Sequence, residues 1–132
     1  MADGTHHIES LSELQALMGS TTYVAVDFYA DWCPPCKSIA PVYASLAGRH
    51  GVPGVLAFAK VNVDRAQDVA RQYRVSAMPT FLFFKDGRQV AVNGQAAIQG
   101  ADPRALAAAA EKLGALAAKR AQADADAAAG KA

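Results

Sequence analysis

An apolar run from Tyr23 to Ala30, rich in β-branched and aromatic residues, is followed almost at once by Cys33-Pro34-Pro35-Cys36. Helical spacing then takes over through Ile39, Val42 and Leu46 as far as Gly48. The first run is long enough for a buried strand and too short for a helix. The chain must therefore pass from strand to helix at the two cysteines, and this hand-over restricts its folds more than any other feature. Pro41 lies inside the helical stretch and predicts a bend there, because it lacks a backbone donor and crowds the preceding turn.

The flanking sequence continues the alternation. Thr5–Glu9 reads as a short strand, and Ser10 with Glu13 forms a capping-box pattern ahead of Leu14 and Leu17. Val55–Val63 reads as a second long strand, and Ala66–Tyr73 as a helix with Val69 and Tyr73 on one face. Thr80–Lys85 and Gln89–Val92 flank Asp86-Gly87, a strong hairpin signal. Asp102-Pro103 opens a last helix, cap first and proline next, with Leu106, Ala110, Leu113 and Ala117 in register. Strands alternating with helices and closed by a hairpin predict an α/β domain with a mixed sheet. Phe28, Phe81, Phe83 and Phe84 are read as its core.

The domain is expected to span 1–119. Of the last 32 residues 16 are alanine, and nothing large and apolar follows Lys119, so 120–132 is read as a frayed or disordered tail. An alanine-rich helix continuing to the end is the alternative.

With 132 residues, 52% hydrophobic and 19% charged, the chain has enough apolar surface for one packed core. Formal net charge is +1 without a basic block, which argues against nucleic acid or an anionic membrane as partner. No apolar run reaches the roughly 18 residues of a membrane span, and residues 1–10 lack a signal-peptide pattern. A reducing, cytoplasmic setting is expected, where two cysteines three apart indicate redox or metal chemistry.

Cys33 falls where the strand meets the helix. Helix N-termini present unpaired N–H groups and partial positive charge, which favour a thiolate, the nucleophilic form of cysteine. Cys36, one turn on, lies on the same face and can close a disulfide with Cys33. In this reading Cys33 is the exposed attacker and Cys36 the shielded resolver. A C-x-x-C pair also occurs as half of a zinc site. Zinc needs two more ligands, and only His6, His7 and His50 are on offer, so no metal is expected.

Val26-Asp27-Phe28-Tyr29-Ala30-Asp31-Trp32-Cys33-Pro34-Pro35-Cys36-Lys37-Ser38-Ile39-Ala40-Pro41 resembles the active-site segment of thioredoxins. Lys60-Val61-Asn62-Val63-Asp64, Met78-Pro79-Thr80-Phe81 and Phe84-Lys85-Asp86-Gly87 follow in matching order, so the resemblance spans about residues 6–118. It implies the thioredoxin fold, a central five-stranded mixed sheet flanked by four helices, and a protein-disulfide reductase acting by thiol–disulfide exchange. It implies that Asp27 is buried and helps deprotonate Cys36, and that Lys60 tunes Asp27. It further implies that Pro79 is cis, and that Trp32, Met78, Gly100 and Ala101 rim the substrate surface. No bound cofactor is implied; electrons come from NADPH through a thioredoxin reductase, and the partners are that reductase and disulfide-containing clients. A monomer is expected.

Three departures stand out, one of them the alanine-rich tail. Pro34-Pro35 replaces the commoner Gly-Pro, which stiffens the turn, withdraws a potential donor and bears on reduction potential and choice of reductant. The Val90–Gln99 region is a few residues longer than usual and should lengthen the last hairpin or the turn after it. The rival readings are a specialised dithiol donor fed by another thiol system, and a non-catalytic binding module of the same fold.

Overall fold

A computed structural model describes residues 4–130. Ten elements follow one another: β1 (Thr5–Ile8), α1 (Leu11–Ser20), β2 (Tyr23–Tyr29), α2 (Pro34–His50), β3 (Leu56–Asn62), α3 (Gln67–Gln72), β4 (Thr80–Lys85), β5 (Arg88–Val90), β6 (Ala97–Gln99) and α4 (Pro103–Ala128). The sheet runs β1-β3-β2-β4-β5, and β6 also pairs with β4. β3 is parallel to both β1 and β2, whereas β4 is antiparallel to β2, so the sheet is mixed.

β2 is the hub. Its side chains alternate between two separate cores, one on each face of the sheet. Tyr23 and Ala25 join Phe58, Phe81 and Phe83 under α2 and α4. Val24, Val26 and Phe28 join Val61, Leu82 and Phe84 on the α1 side. A strand covered on both faces reads as a continuous apolar run, which is why no alternation shows in its sequence. Parity puts Asp27 on the face of Tyr23 and Ala25, beneath α2.

α2 is tied to the centre of that face. Tyr43, fully buried, shares its hydroxyl between the carbonyl oxygens of Ala25 (3.0 Å) and Ala59 (2.8 Å). The helix continues through Pro41 to His50. The caps are those the sequence predicts. Ser10 Oγ accepts the Glu13 N–H, and Asp102 Oδ1 accepts the N–H groups of Arg104 and Ala105. Asp86 and Gly87 both take positive φ, as a tight hairpin turn requires.

Two expectations change. The fifth strand position is filled by two short strands rather than one. β5 and β6 lie along β4 in tandem, Val90 opposite Phe83 and Ala97 opposite Leu82, so residues 91–96 loop out between adjacent register positions. That loop is itself a miniature hairpin, with mutual Val92–Gln95 backbone bonds around Asn93 and Gly94, both at positive φ. Asn93-Gly94 is the local signal that gives it away. The second change concerns the expected frayed or disordered stretch 120–132. As far as Ala128 it is helix. Alanine favours helix, no breaker intervenes, and Arg120–Asp124 (3.0 Å) and Gln122–Asp126 (2.9 Å) bond one turn apart. Ala121 still packs against the core. Lys131 and Ala132 lie outside the described residues.

Replacing Tyr43 by Phe removes the hydroxyl and leaves its two carbonyl acceptors without it. Urea denaturation of Tyr43→Phe is expected to show a loss of about 1–2 kcal/mol with an unchanged slope.

Candidate active site

The carboxyl end of β2 delivers the chain to α2 through Ala30, Asp31 and Trp32. Cys33 is the N-cap of α2, and Pro34 and Pro35 occupy its first positions. Neither proline has an N–H. The first donor the helix offers is therefore the N–H of Cys36, and it points at Cys33 Sγ, 3.2 Å away. The next, from Lys37, bonds the Cys33 carbonyl at 3.2 Å. Pro34 thus leaves intact the donor that the Cys33 sulfur uses. That donor, together with the positive end of the helix, stabilises negative charge on this sulfur.

Cys33 and Cys36 are joined as a disulfide, with Cα atoms 5.3 Å apart. The expected contrast in exposure is not present in this oxidised state: Cys33 is 3% and Cys36 4% exposed. Ring closure turns the two sulfurs toward each other, and Val63 and Met78, from distant segments, pack over them. What separates the cysteines is position. Cys33 Sγ sits at the helix start, 3.6 Å from the Met78 carbonyl oxygen. Cys36 lies inside the first turn and borders a small cavity of about 130 Å³ shared with Tyr29, Lys37 and Lys60.

Asp27 is 1% exposed, and its Oδ1 has no hydrogen-bond partner. Burial pushes its carboxyl from 3.8 up to about 7, and the Lys60 ammonium holds it from rising further. Lys60 is the residue opposite Asp27 in the parallel β2–β3 register. It is half-buried, and its Nζ lies 4.5 Å over the Tyr29 ring, a cation–π contact rather than a freely solvated strand end.

The rim residues come together from three segments. Met78–Pro79 is a cis peptide, and Pro79 is buried at the head of β4. Gly100, at φ +93, donates its N–H to the Pro79 carbonyl oxygen at 2.9 Å, so it and Ala101 stand beside the cis bond. Glycine is favoured here by the backbone angle, since a Cβ would meet no atom within 4 Å. Trp32 is 65% exposed and so is not core filling. Pro34 and Pro35 are exposed beside it.

Sequence reasoning passes over two residues that hold this end of the sheet. Asp64 Oδ2 accepts the Trp32 indole N–H at 3.0 Å. Buried Asn62 donates to Asp31 Oδ2 (3.3 Å) and accepts the Asp64 N–H (3.0 Å), linking the loops after β2 and β3. Both lie in the Lys60–Asp64 stretch, but only the pairing of remote loops reveals their part. Among the described residues no three His, Cys, Asp or Glu side chains converge on a metal-sized site.

A family model described as thioredoxin matches residues 8–112. A thioredoxin-like protein of Fusarium culmorum is 72% identical over 115 residues, covering 87% of this chain and 95% of that one. The thioredoxin of Neurospora crassa is 61% identical over 123 residues, covering 93% and 97%. Among solved structures, Malassezia sympodialis thioredoxin superposes with a TM-score of 0.73 at 34% identity, covering 83% of this chain and 90% of that one.

The raised value for Asp27 links stability to pH. Below 3.8 the carboxyl is protonated whether the chain is folded or not. Between 3.8 and about 7 the unfolded chain gives up the proton while the folded one keeps it, so stability falls as pH rises through that window. Above it the loss is complete. Asp27→Asn is therefore expected to exceed the parent by about 2–4 kcal/mol near pH 8, with the gap closing towards pH 4 in urea denaturation. A gap that ignores pH would contradict the burial argument.

Proposed function

This chain belongs to the thioredoxin family and is a thiol–disulfide oxidoreductase; on that premise we propose that it reduces client protein disulfides with electrons passed from NADPH by a thioredoxin reductase. The observation that carries the reading is the Cys33 sulfur seated on the Cys36 N–H at the start of α2. In the reduced protein the Cys33 thiolate attacks one sulfur of the client disulfide, forming a mixed disulfide and expelling the other as a thiolate. Asp27 takes the proton of Cys36. The Cys36 thiolate attacks Cys33 Sγ, the mixed disulfide breaks, and the second client thiolate leaves. Two electrons reach the client, whose two thiolates take one proton from the Asp27 carboxyl and one from solvent, and the Cys33–Cys36 disulfide remains for the reductase to reopen.

Each supporting residue has a place in this scheme. Met78 offers its backbone to an extended client strand beside Pro79, with Trp32, Gly100 and Ala101 completing the surface. Lys60 keeps the Asp27 carboxyl within reach of neutral pH, and Pro34 and Pro35 stiffen the turn that carries Cys33. The chain works without a bound cofactor, as a monomer. A dithiol that must be kept reduced fits the cytoplasm, where it would carry electrons in redox homeostasis.

The reading is tested by following NADPH loss with thioredoxin reductase and a disulfide protein. Wild type is expected to turn over, and Cys33→Ser to fall to background. Cys36→Ser should accumulate mixed disulfides with its clients, because the resolving thiol is missing. Turnover that survives Cys33→Ser would refute the mechanism. Activity with glutathione or another dithiol, but none with the reductase, would make it a specialised donor. Inactivity under every reductant would make it a binding module.

A further inference from the structure

A groove of about 580 Å³ lies along α3 and the segment that follows it. Its apolar lining includes Val63, Ala70, Val75 and Met78, and Val63 and Met78 also cover the cysteine pair, so groove and disulfide share a wall. Arg71 and Arg74, with Gln67 and Ser76, complete the lining. Both arginines are exposed, and neither makes an ion pair among the described residues. The nearest acid on the same helix, Asp68, is occupied elsewhere, where its Oδ2 accepts the Leu11 N–H at 3.0 Å.

Arg74 carries a second mark. It follows the end of α3 at φ +55, and Val75 N–H bonds the Ala70 carbonyl (2.9 Å), the closing bond of a left-handed helix stop. Glycine is the ordinary residue there, because a side chain at such an angle is strained. The backbone thus gives no reason for an arginine, whereas the groove beside it does. Asp64 borders the groove, where its carbonyl accepts from Gln67 at 3.3 Å, but its carboxylate is engaged by the Trp32 indole N–H at 3.0 Å. The chain as a whole is nearly neutral at +1, so the two guanidinium groups are a local feature of the groove.

We propose that the α3 groove is a docking subsite for an acidic flank of the client, with Arg71 and Arg74 as its specificity-determining residues. An extended client segment pairs with the Met78 backbone, lays an apolar side chain against Val63, Ala70 and Val75, and meets the two guanidinium groups with Asp or Glu. Clients with a basic flank there are disfavoured. The proposal rests on the reading of the chain as a reductase of protein disulfides.

The test uses synthetic peptide disulfides identical but for a flank of Glu, Gln or Lys, placed on either side of the reactive cysteine. The rate constant for reduction by the fully reduced protein is measured for each. On one side, Glu peptides are expected to react about fivefold to tenfold faster than Lys peptides at low ionic strength, with the ratio shrinking in salt. R71E/R74E should invert that ratio and R71Q/R74Q should level it, while R88E, a single reversal of the same kind at the start of β5, should leave it standing. Equal rates for all flanks in the wild type, or a preference that survives R71Q/R74Q, would overturn the proposal. A wild type that reduces no peptide would overturn the reductase reading and this proposal with it.

Discussion

The sulfur of Cys33 rests on the first N–H that α2 has to give, and the surrounding structure serves to keep it there. Two prolines open the helix, so the donor comes from Cys36, the residue that completes the disulfide. One backbone group therefore both stabilises charge on the attacking sulfur and belongs to the resolving residue. The prolines hold φ fixed along the turn between the two cysteines. Tyr43 secures the helix to β2 and β3 a few turns later, and the buried strand β2 fixes where the helix begins.

A second constraint follows from the first. Because β2 is buried on both faces, the carboxylate it places beneath α2 is taken out of water. Desolvation, not a neighbouring acid, raises the Asp27 carboxyl to about 7, and Lys60 limits the rise. A group that stays protonated through most of the acid range and changes state near neutrality suits proton exchange with a thiol. It also weakens the folded state at neutral pH, a loss of stability tied to the chemistry that the strand supports.

Much of this was legible in the sequence, and the exceptions have physical reasons. The β2–α2 junction, the Ser10 and Asp102 caps and the Asp86-Gly87 turn are set by local residues, and all are found where the residues put them. Periodicity is silent on Asp27, because a strand covered on both faces has no polar side to betray its parity. The resemblance, not the pattern, assigned it to the interior. The extra length of Val90–Gln99 shows in the sequence, but the β5–β6 division does not, since the stronger Asp86-Gly87 turn already accounts for one hairpin and masks the Asn93-Gly94 signal. The helix beyond Lys119 rests on summed alanine propensity and i,i+4 pairs, which a search for buried side chains does not weigh. The Trp32–Asp64 and Asp31–Asn62 bonds join residues about thirty apart in sequence, and the closure of Val63 and Met78 over the disulfide is equally non-local.

Equal burial of Cys33 and Cys36 in the disulfide makes their division of labour depend on position alone. The most direct measurement is therefore made on the reduced protein. A brief pulse of limiting iodoacetamide near neutral pH, followed by peptide mass spectrometry, locates the reactive thiol. The account predicts that the label falls on Cys33 and reaches Cys36 only after unfolding. Equal labelling of the two cysteines, or labelling of Cys36 first, would contradict it.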